Sequence, residues 1–421
     1  MSLPRYGEYR DSGVTWLGEV PAHWSVAPMK RLLDIENGAD YKAIEADEGY
    51  PVLGSGGPFA FATDYIYDGE SVLLGRKGTI DKPLHVTGRF WTVDTMYWSR
   101  IRSTACGRFC YYAATTIPFG LYSTNTALPS MTKGALDAHL VATPPLDEQR
   151  EISRFLDRET AKIDALIAEQ ETLLALLAEK RQATISHAVT RGLDPSAPMK
   201  DSGIPWLSEV PAHWRVARLK HVTNAIIDCP HETPIYDAEG NFPVIRTADV
   251  DSGELRLDSM YRLMADQYKE RTRRAELLKD DIVYGREGER WGHAALVPES
   301  NKFCLGQRMM QVRPSQGMSA AYLMWQLNSK SIRLQGEVDT VGATSPHVNV
   351  GTIRNYRLAV PPLKEQHAIA AHLGDQSRSF VALAAEAQQA ITLLRERRSA
   401  LIAAAVTGQI DVRGLGEAQA A

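Results

Sequence analysis

Two stretches of the chain repeat apolar residues at helical spacing over many turns, and two others carry short apolar runs broken by turn residues. From Asp147 to Arg191 there is no Gly or Pro, and Gly192 and Pro195 then supply stop signals. Stepping by alternating four and three from Ile152 gives Leu156, Glu159, Ile163, Leu166, Gln170, Leu173, Leu177, Lys180 and Thr184, a mostly apolar seam of heptad period. The same steps from Ile369 pass through Leu373, Gln376, Phe380, Leu383, Ala387, Ala390, Leu394, Arg397 and Leu401. Long helices are stabilised mainly by packing an apolar face, so the spacing predicts two long helices paired along their seams. The other arrangement, each helix lying on its own neighbouring domain, stays open at this point.

The short runs read as strands. In the first variable segment these are Tyr50 to Leu53, Ser71 to Leu74 and Phe90 to Val93, separated by Gly54-Ser55-Gly56-Gly57 and Gly75-Arg76-Lys77-Gly78. In the second they are Pro243 to Arg246, Asp281 to Tyr284 and His293 to Val297, with Gly285-Arg286-Glu287-Gly288 after the middle one and a helix around Ala320 to Ser329. Both segments therefore read as mixed α and β.

Self-comparison explains the pairing of features. Asp11 to Leu32 realigns on Asp201 to Val222 with fourteen of twenty-two positions identical, at an offset of 190. PPLDEQREI from Pro144 recurs as PPLKEQHAI from Pro361 at an offset of 217, so the second half carries 27 more residues between shared blocks. This divides the chain into an N-terminal frame segment (1–24), a first variable domain (25–143), a first long helix (144–192), a repeated frame segment (193–214), a second variable domain (215–360), a second long helix (361–408) and a tail (409–421). The frame segment follows the first helix but not the second. Asp11 to Trp24 is expected to fill that gap by packing near the end of the second helix, closing a pseudo-two-fold circular arrangement. The fold class is α+β, with two mixed α/β domains joined by an antiparallel coiled coil.

Composition narrows the function. A charged fraction of 23% and an apolar fraction of 44% belong to a folded protein, and no apolar run approaches the ~20 residues of a membrane span. A cytoplasmic location is expected, with no membrane partner. Cys106, Cys110, Cys229 and Cys304 lack paired CxxC spacing, which argues for reduced thiols and no metal. The formal net charge is -4, yet residues 68–110 hold seven Lys or Arg against four Asp or Glu, and residues 268–313 hold ten against seven. Each variable domain thus contains a locally basic window suited to phosphate.

Those windows contain the Gly-Arg-x-Gly turns. An arginine there can bond phosphate or fork to guanine, and the glycines permit close approach; a hairpin turn with a solvated charge is the alternative. The candidate DNA-binding set is Ser55, Gly56, Arg76, Lys77, Thr79, Lys82, Thr95 and Asn125 in the first domain, and Arg246, Thr247, Arg286, Arg290, Arg308 and His347 in the second. Asn125 and His347 are taken as comparable loop positions before each Pro-Pro block. Trp16, Trp24, Trp206 and Trp214 fall in the repeated frame and are assigned to core packing. The Gly54 to Gly57 turn has neither a GxxxxGK[ST] pattern nor a helix-opening GxGxxG, so no nucleotide or other cofactor is expected.

These elements resemble the specificity subunits of type I restriction-modification systems over nearly the whole chain. The resemblance rests on Trp16 to Trp24, Pro144 to Ile152, Trp206 to Trp214 and Pro361 to Ile369. Within the domains it rests on Glu70 to Thr79, Phe90 to Thr95 and Gly306 to Met310. It implies a non-catalytic subunit that reads an asymmetric bipartite site on double-stranded DNA. It also implies docking of two methyltransferase subunits and, through the complex, of restriction and motor subunits, in defence against foreign DNA. A first helix of 45 residues at ~1.5 Å rise, roughly 65 Å, exceeds the ~34 Å of a duplex turn and can serve as a ruler. Two rivals are a self-contained methyltransferase and an adaptor without DNA specificity. The first needs a [DNS]PP[YF] motif, whereas both double prolines here read PPL after Thr143 and Val360.

Overall fold

The computed structural model describes residues 3–122, 129–288, 290–340 and 346–415. It divides into two units, 1–171 with 388–421 and 172–387, so each long helix contributes one half to each unit. The helices span Leu146–Arg191 and Leu363–Val406.

In the first unit, strands Leu33–Asn37, Ser71–Gly75, Leu84–Val86 and Met96–Ile101 make a four-stranded antiparallel sheet. A five-stranded sheet contains Tyr50–Gly54 and Arg89–Thr92 as parallel neighbours. The run Ser71–Gly75 is apolar without alternation because both of its faces are covered. Val72 and Leu74 enter one core with Leu33, Ile35 and Tyr97, while Leu73 enters a second with Phe90, Met96 and Trp98.

The second unit repeats this design. Strands Thr223–Asp228, Met309–Pro314, Ile282–Gly285 and Ala294–Leu296 form its four-stranded sheet, and Phe242–Ile245 runs parallel to Cys304–Leu305 in a smaller one. Ile282 and Tyr284 face one core while Val283 faces another.

The two repeated sequence blocks recur together because they bond each other. In the first unit Glu148 accepts from Tyr6 Oη at 2.6 Å and Trp24 Nε1 at 3.1 Å, with His23 Nε2 at 2.9 Å. In the second, Glu365 accepts from Trp214 Nε1 at 3.0 Å and holds His213 Nε2 at 2.8 Å. The next residue fastens the helix start. Gln149 donates to Pro144 O and accepts from Cys106 N, and Gln366 donates to Pro361 O and accepts from Ser319 N. Trp24 and Trp214 are core residues, as their bonds require, whereas Trp16 and Trp206 are each 42% exposed, so the core assignment fails for that pair.

The expected closure is present in the first unit. Gln409 Nε2 donates to Glu19 O at 2.7 Å, Tyr9 Oη donates to Gly408 O at 3.0 Å, and Asp411 N donates to Pro4 O at 2.8 Å. Gly408 sits at φ +74° so close to Pro21 that an added Cβ would stand 2.3 Å from its ring. Gly192, at φ +79°, makes the corresponding approach to Trp214 in the second unit.

The long helices pair antiparallel. In the first unit Arg398 bridges Asp164 through both carboxylate oxygens, and Arg395 meets Glu171 at 3.0 Å. In the second, Arg181 donates to Ser377 Oγ at 2.8 Å and Ser252 O at 2.9 Å, while Ile185 and Val189 share a core with Ile369 and Leu373.

The seam differs in detail from strict heptad stepping. On the first helix the least exposed line runs Ile152, Leu156, Thr160, Ile163, Ile167, Gln170, Leu174, Leu177, Arg181. On the second it runs Ile369, Leu373, Ser377, Phe380, Ala384, Ala387, Ile391, Leu394, Arg398, with Leu401 half-buried further on. Both begin with two four-residue steps in succession. That extra residue rotates every alternate seam position by one, as helices of 3.6 residues per turn require when they do not supercoil tightly from the start. Leu166, Leu173 and Leu383, placed in the seam by the sequence, are therefore exposed.

Candidate nucleic-acid interface

Strand register gathers three turns at one edge of each unit. In the first, the parallel pairing of Thr92 with Leu53 sends both strands out at the same end, into Gly54 to Gly57 and Val93 to Thr95. Antiparallel pairing of Met96 with Gly75 brings the Arg76 turn beside them. Backbone bonds lock the cluster: Arg76 N and Lys77 N donate to Thr95 O at 2.9 and 3.2 Å, Gly78 N to Pro129 O at 2.9 Å, and Met131 N to Arg76 O at 2.9 Å. Gly75 is required here because a Cβ would lie 2.4 Å from Thr79 O.

The second unit has the same wiring. Ile245 pairs in parallel with Leu305, leading to Arg246-Thr247 and Gly306-Gln307-Arg308, and Gly285 pairs with Met309. Arg286 N donates to Arg308 O at 3.1 Å, Gly288 N to Pro346 O at 2.9 Å, and Val348 N to Arg286 O at 3.0 Å. Isolated bridges join Lys77 to Ser130 and Glu287 to His347. The structure thus matches Ser55 with Thr247, Arg76 with Arg286, Lys77 with Glu287, Thr95 with Arg308, and Ser130 with His347. His347 corresponds to Ser130 and not to Asn125, because the offset of 217 that governs the Pro-Pro blocks already holds at these two residues. Asn125 lies outside the described residues.

The side chains fall into two groups. Gly56, Lys77, Thr79, Lys82 and Thr95 are exposed in the first unit, with Ser55 and Arg76 half-buried. Arg76 Nη1 donates to Asp94 O at 3.2 Å, and its guanidinium lies 6.0 Å from the centre of the Tyr97 ring. In the second unit Arg308 and His347 are exposed and Thr247 is half-buried.

Three arginines of the second unit are tied inward. Arg246 forks onto Asp249 with two bonds of 2.8 Å, which holds its guanidinium above the ordinary value, and lies 3.7 Å over the Tyr261 ring. Arg290 bonds Val250 O and Asp251. Arg286, expected at an open loop tip, is only 3% exposed. It donates to Asp228 Oδ1 at 2.9 Å, Val348 O at 3.2 Å and His347 Nε2 at 3.1 Å, with His231 Nε2 at 3.3 Å, and forms an ion pair with Glu287 Oε1 at 2.9 Å. Carboxylates and a carbonyl surround the guanidinium in a site nearly closed to water, so its charge faces the protein. His347 Nδ1 stands 3.1 Å from Glu287 Oε1, so the histidine ring lies between the arginine and the glutamate.

Glu287, Ser130 and Gln307 belong to this edge but were passed over as candidates. Superposing Gly-Arg-Lys-Gly on Gly-Arg-Glu-Gly would have found Glu287. Among the described residues there is no His, Cys, Asp and Glu group able to hold a metal, and no helix long and apolar enough to cross a membrane. The cysteines are free thiols, and burial pushes Cys229 up to about 11 and Cys304 up to about 12.

Two diverged α/β domains, each ending in a cluster of polar and basic turns and tied by a duplicated frame to paired long helices, define a DNA reader with two target recognition domains. The profile described as "Type I restriction modification DNA specificity domain" matches residues 21–175 and 211–393, and the chain belongs to that family. It is the specificity subunit of a type I restriction-modification system, a non-catalytic member of the complex that determines DNA target recognition. The chain is similar to the Type I restriction enzyme EcoBI specificity subunit of Escherichia coli, at 20% identity over 97% of this chain and 91% of that protein. It is also similar to the Type I restriction enzyme MjaVIII specificity subunit of Methanocaldococcus jannaschii, at 21% identity over 69% of this chain and 66% of that protein. A solved chain from work on complex assembly and conformational transition of the type I R-M system shares the fold, with a TM-score of 0.69 and 16% identity over 92% of this chain and 98% of that one.

Proposed function

We propose that the turn cluster of each unit reads one half of an asymmetric, bipartite site on double-stranded DNA, with recognition domains at 25–143 and 215–360. The chain docks two methyltransferase subunits, and restriction and motor subunits join through that complex, in the cytoplasm with the DNA they act on. The supporting observation is the matched wiring at the two edges. One backbone arrangement carries Lys77, Thr95 and Ser130 in the first unit and Glu287, Arg308 and His347 in the second. A shared scaffold with unlike side chains in a duplicated frame is what reading two unlike half-sites demands, since a symmetric reader mirrors a palindrome.

Within each edge the exposed cations Lys77, Lys82 and Arg308 meet phosphate or base edges, and Arg76 does so from its half-buried position. Arg246, Arg286 and Arg290 hold the loops in place, and the glycines let the backbone come near the duplex. Co-purifying the chain with its cognate methyltransferase and profiling methylation on randomised duplexes tests this. Methylation at one split, non-palindromic sequence is expected; methylation without sequence preference, or at a palindrome, would overturn it.

A further inference from the structure

We infer that Lys77 and Glu287 are one structural position carrying opposite polarity, and that this position sets one base of each half-site: Lys77 a base presenting acceptors, as guanine does, and Glu287 a base presenting an amino group, cytosine or adenine. The inference rests on the reading that the turn clusters contact DNA.

The equivalence comes from the backbone. Each residue follows the arginine whose N–H bonds the carbonyl of Thr95 or Arg308, each precedes the glycine whose N–H bonds Pro129 or Pro346, and each bridges Ser130 or His347. The two glycines, Gly78 and Gly288, have φ of +82° and +81°. Side chains borne on such a matched turn leave it from the same place.

Their surroundings then diverge in a correlated way. Lys77 is exposed and forms no ion pair among the described residues, as a donor to guanine O6 and N7 must be free to do. A bare carboxylate at the same place would be repelled by phosphates. Glu287 is not bare: Oε1 stands 2.9 Å from Arg286 Nη2 and 3.1 Å from His347 Nδ1, and its side chain keeps 20% exposure. Arg286, which Asp228 shares, attenuates its charge, and the two contacts hold Oε1 inward, leaving Oε2 to accept from an exocyclic N–H. The first unit has no acidic residue at 77, and it has Ser130 in place of the histidine. Arginine, glutamate and histidine thus form one device that lets an acceptor approach a polyanion.

The test is a methylation profile of the full complex carrying Lys77→Met, Lys77→Glu or Glu287→Gln. Lys77 is exposed, so its variants leave the fold intact, and Glu287→Gln keeps the shape and one acceptor. Each variant is expected to relax or switch a single base, by roughly five- to a hundredfold in relative methylation, in one half-site only. The Lys77 variants should act on the half opposite to that affected by Glu287→Gln. The untouched half-site in each profile reports that the complex is folded. A uniform loss of rate with the motif unchanged, or an identical profile, overturns the inference and leaves the reading of the edges standing. A wild-type complex without any split motif removes the reading itself.

Discussion

The first recognition edge presents its basic residues outward, whereas the second folds most of its arginines into itself. Arg76 is half-buried and Lys77 open, while Arg286 is enclosed by Asp228, Glu287, His231 and His347. The backbone beneath them is the same. A locally basic window therefore says little about which charge meets DNA. The second domain has the larger count of cations but exposes few of them at this edge, because its acidic residues are placed to bind them. Equal wiring with unequal exposure is how a duplicated frame carries two specificities without altering its fold.

The largest expected effect separates the two arginines. Arg286→Ala leaves Asp228 and Glu287 with an uncompensated buried site and should cost about 3 to 5 kcal/mol in urea unfolding. Arg76→Ala should cost under about 1 kcal/mol, since its bonds face solvent, but should weaken DNA binding by about 1 to 3 kcal/mol if the guanidinium forks to a base. Equal destabilisation by both would break the comparison.

The frame gives the next test. Glu148 holds a tyrosine, a tryptophan and a histidine with a side chain only 8% exposed, while Glu365 holds a tryptophan and a histidine at 42% exposure. Glu148→Ala should cost about 3 kcal/mol and Glu365→Ala about 1 kcal/mol, because buried donors left unpaired are the expensive ones. Thermal melts of the two variants decide the order.

Much of this was open to reading from sequence, and the failures share a cause. Two long helices, their pairing, the closure by Asp11 to Trp24 and the strand runs all follow from periodicity and repeat order, which depend on residue type alone. The Glu-Gln dipeptides were visible as repeats, but their partners His23-Trp24 and His213-Trp214 lie over 120 residues away and were not. The burial of Arg286 is not legible in the sequence because it is set by Asp228 and His347, residues that only tertiary structure brings near. The seam slipped for a geometric reason: a heptad template cannot register the double four-residue step at Ile152-Leu156-Thr160.

Acid should expose another asymmetry. His139 is buried, stacked on Trp16 with ring centres 5.3 Å apart, and burial pushes its imidazole down to about 4. The unfolded chain, titrating near ~6.5, takes up the proton first. The contribution is therefore complete above that value and is lost as pH falls towards 4, on the order of 2 kcal/mol. In the second unit Tyr356 stands at the corresponding place, its carbonyl accepting from Leu219 N as that of His139 accepts from Met29 N. His139→Tyr should flatten the fall in melting temperature between pH 6.5 and 4.5, leaving the part due to His293, whose imidazole burial also pushes down.

The smallest effect discriminates most finely. Strict heptad stepping puts Leu173 at the helix interface, while the structure turns Leu174 towards it and leaves Leu173 41% exposed. Leu174→Ala should cost about 1 kcal/mol, a partial burial term, and Leu173→Ala under about 0.5 kcal/mol. The sign of the difference matters more than its size, because both changes carry the same helix propensity and the same loss of volume. If Leu173→Ala proved the more destabilising, the two four-residue steps would be absent in solution and the heptad register restored. The exposed row of Leu166, Leu173 and Leu383 would then have to be reassigned to the pairing of the helices.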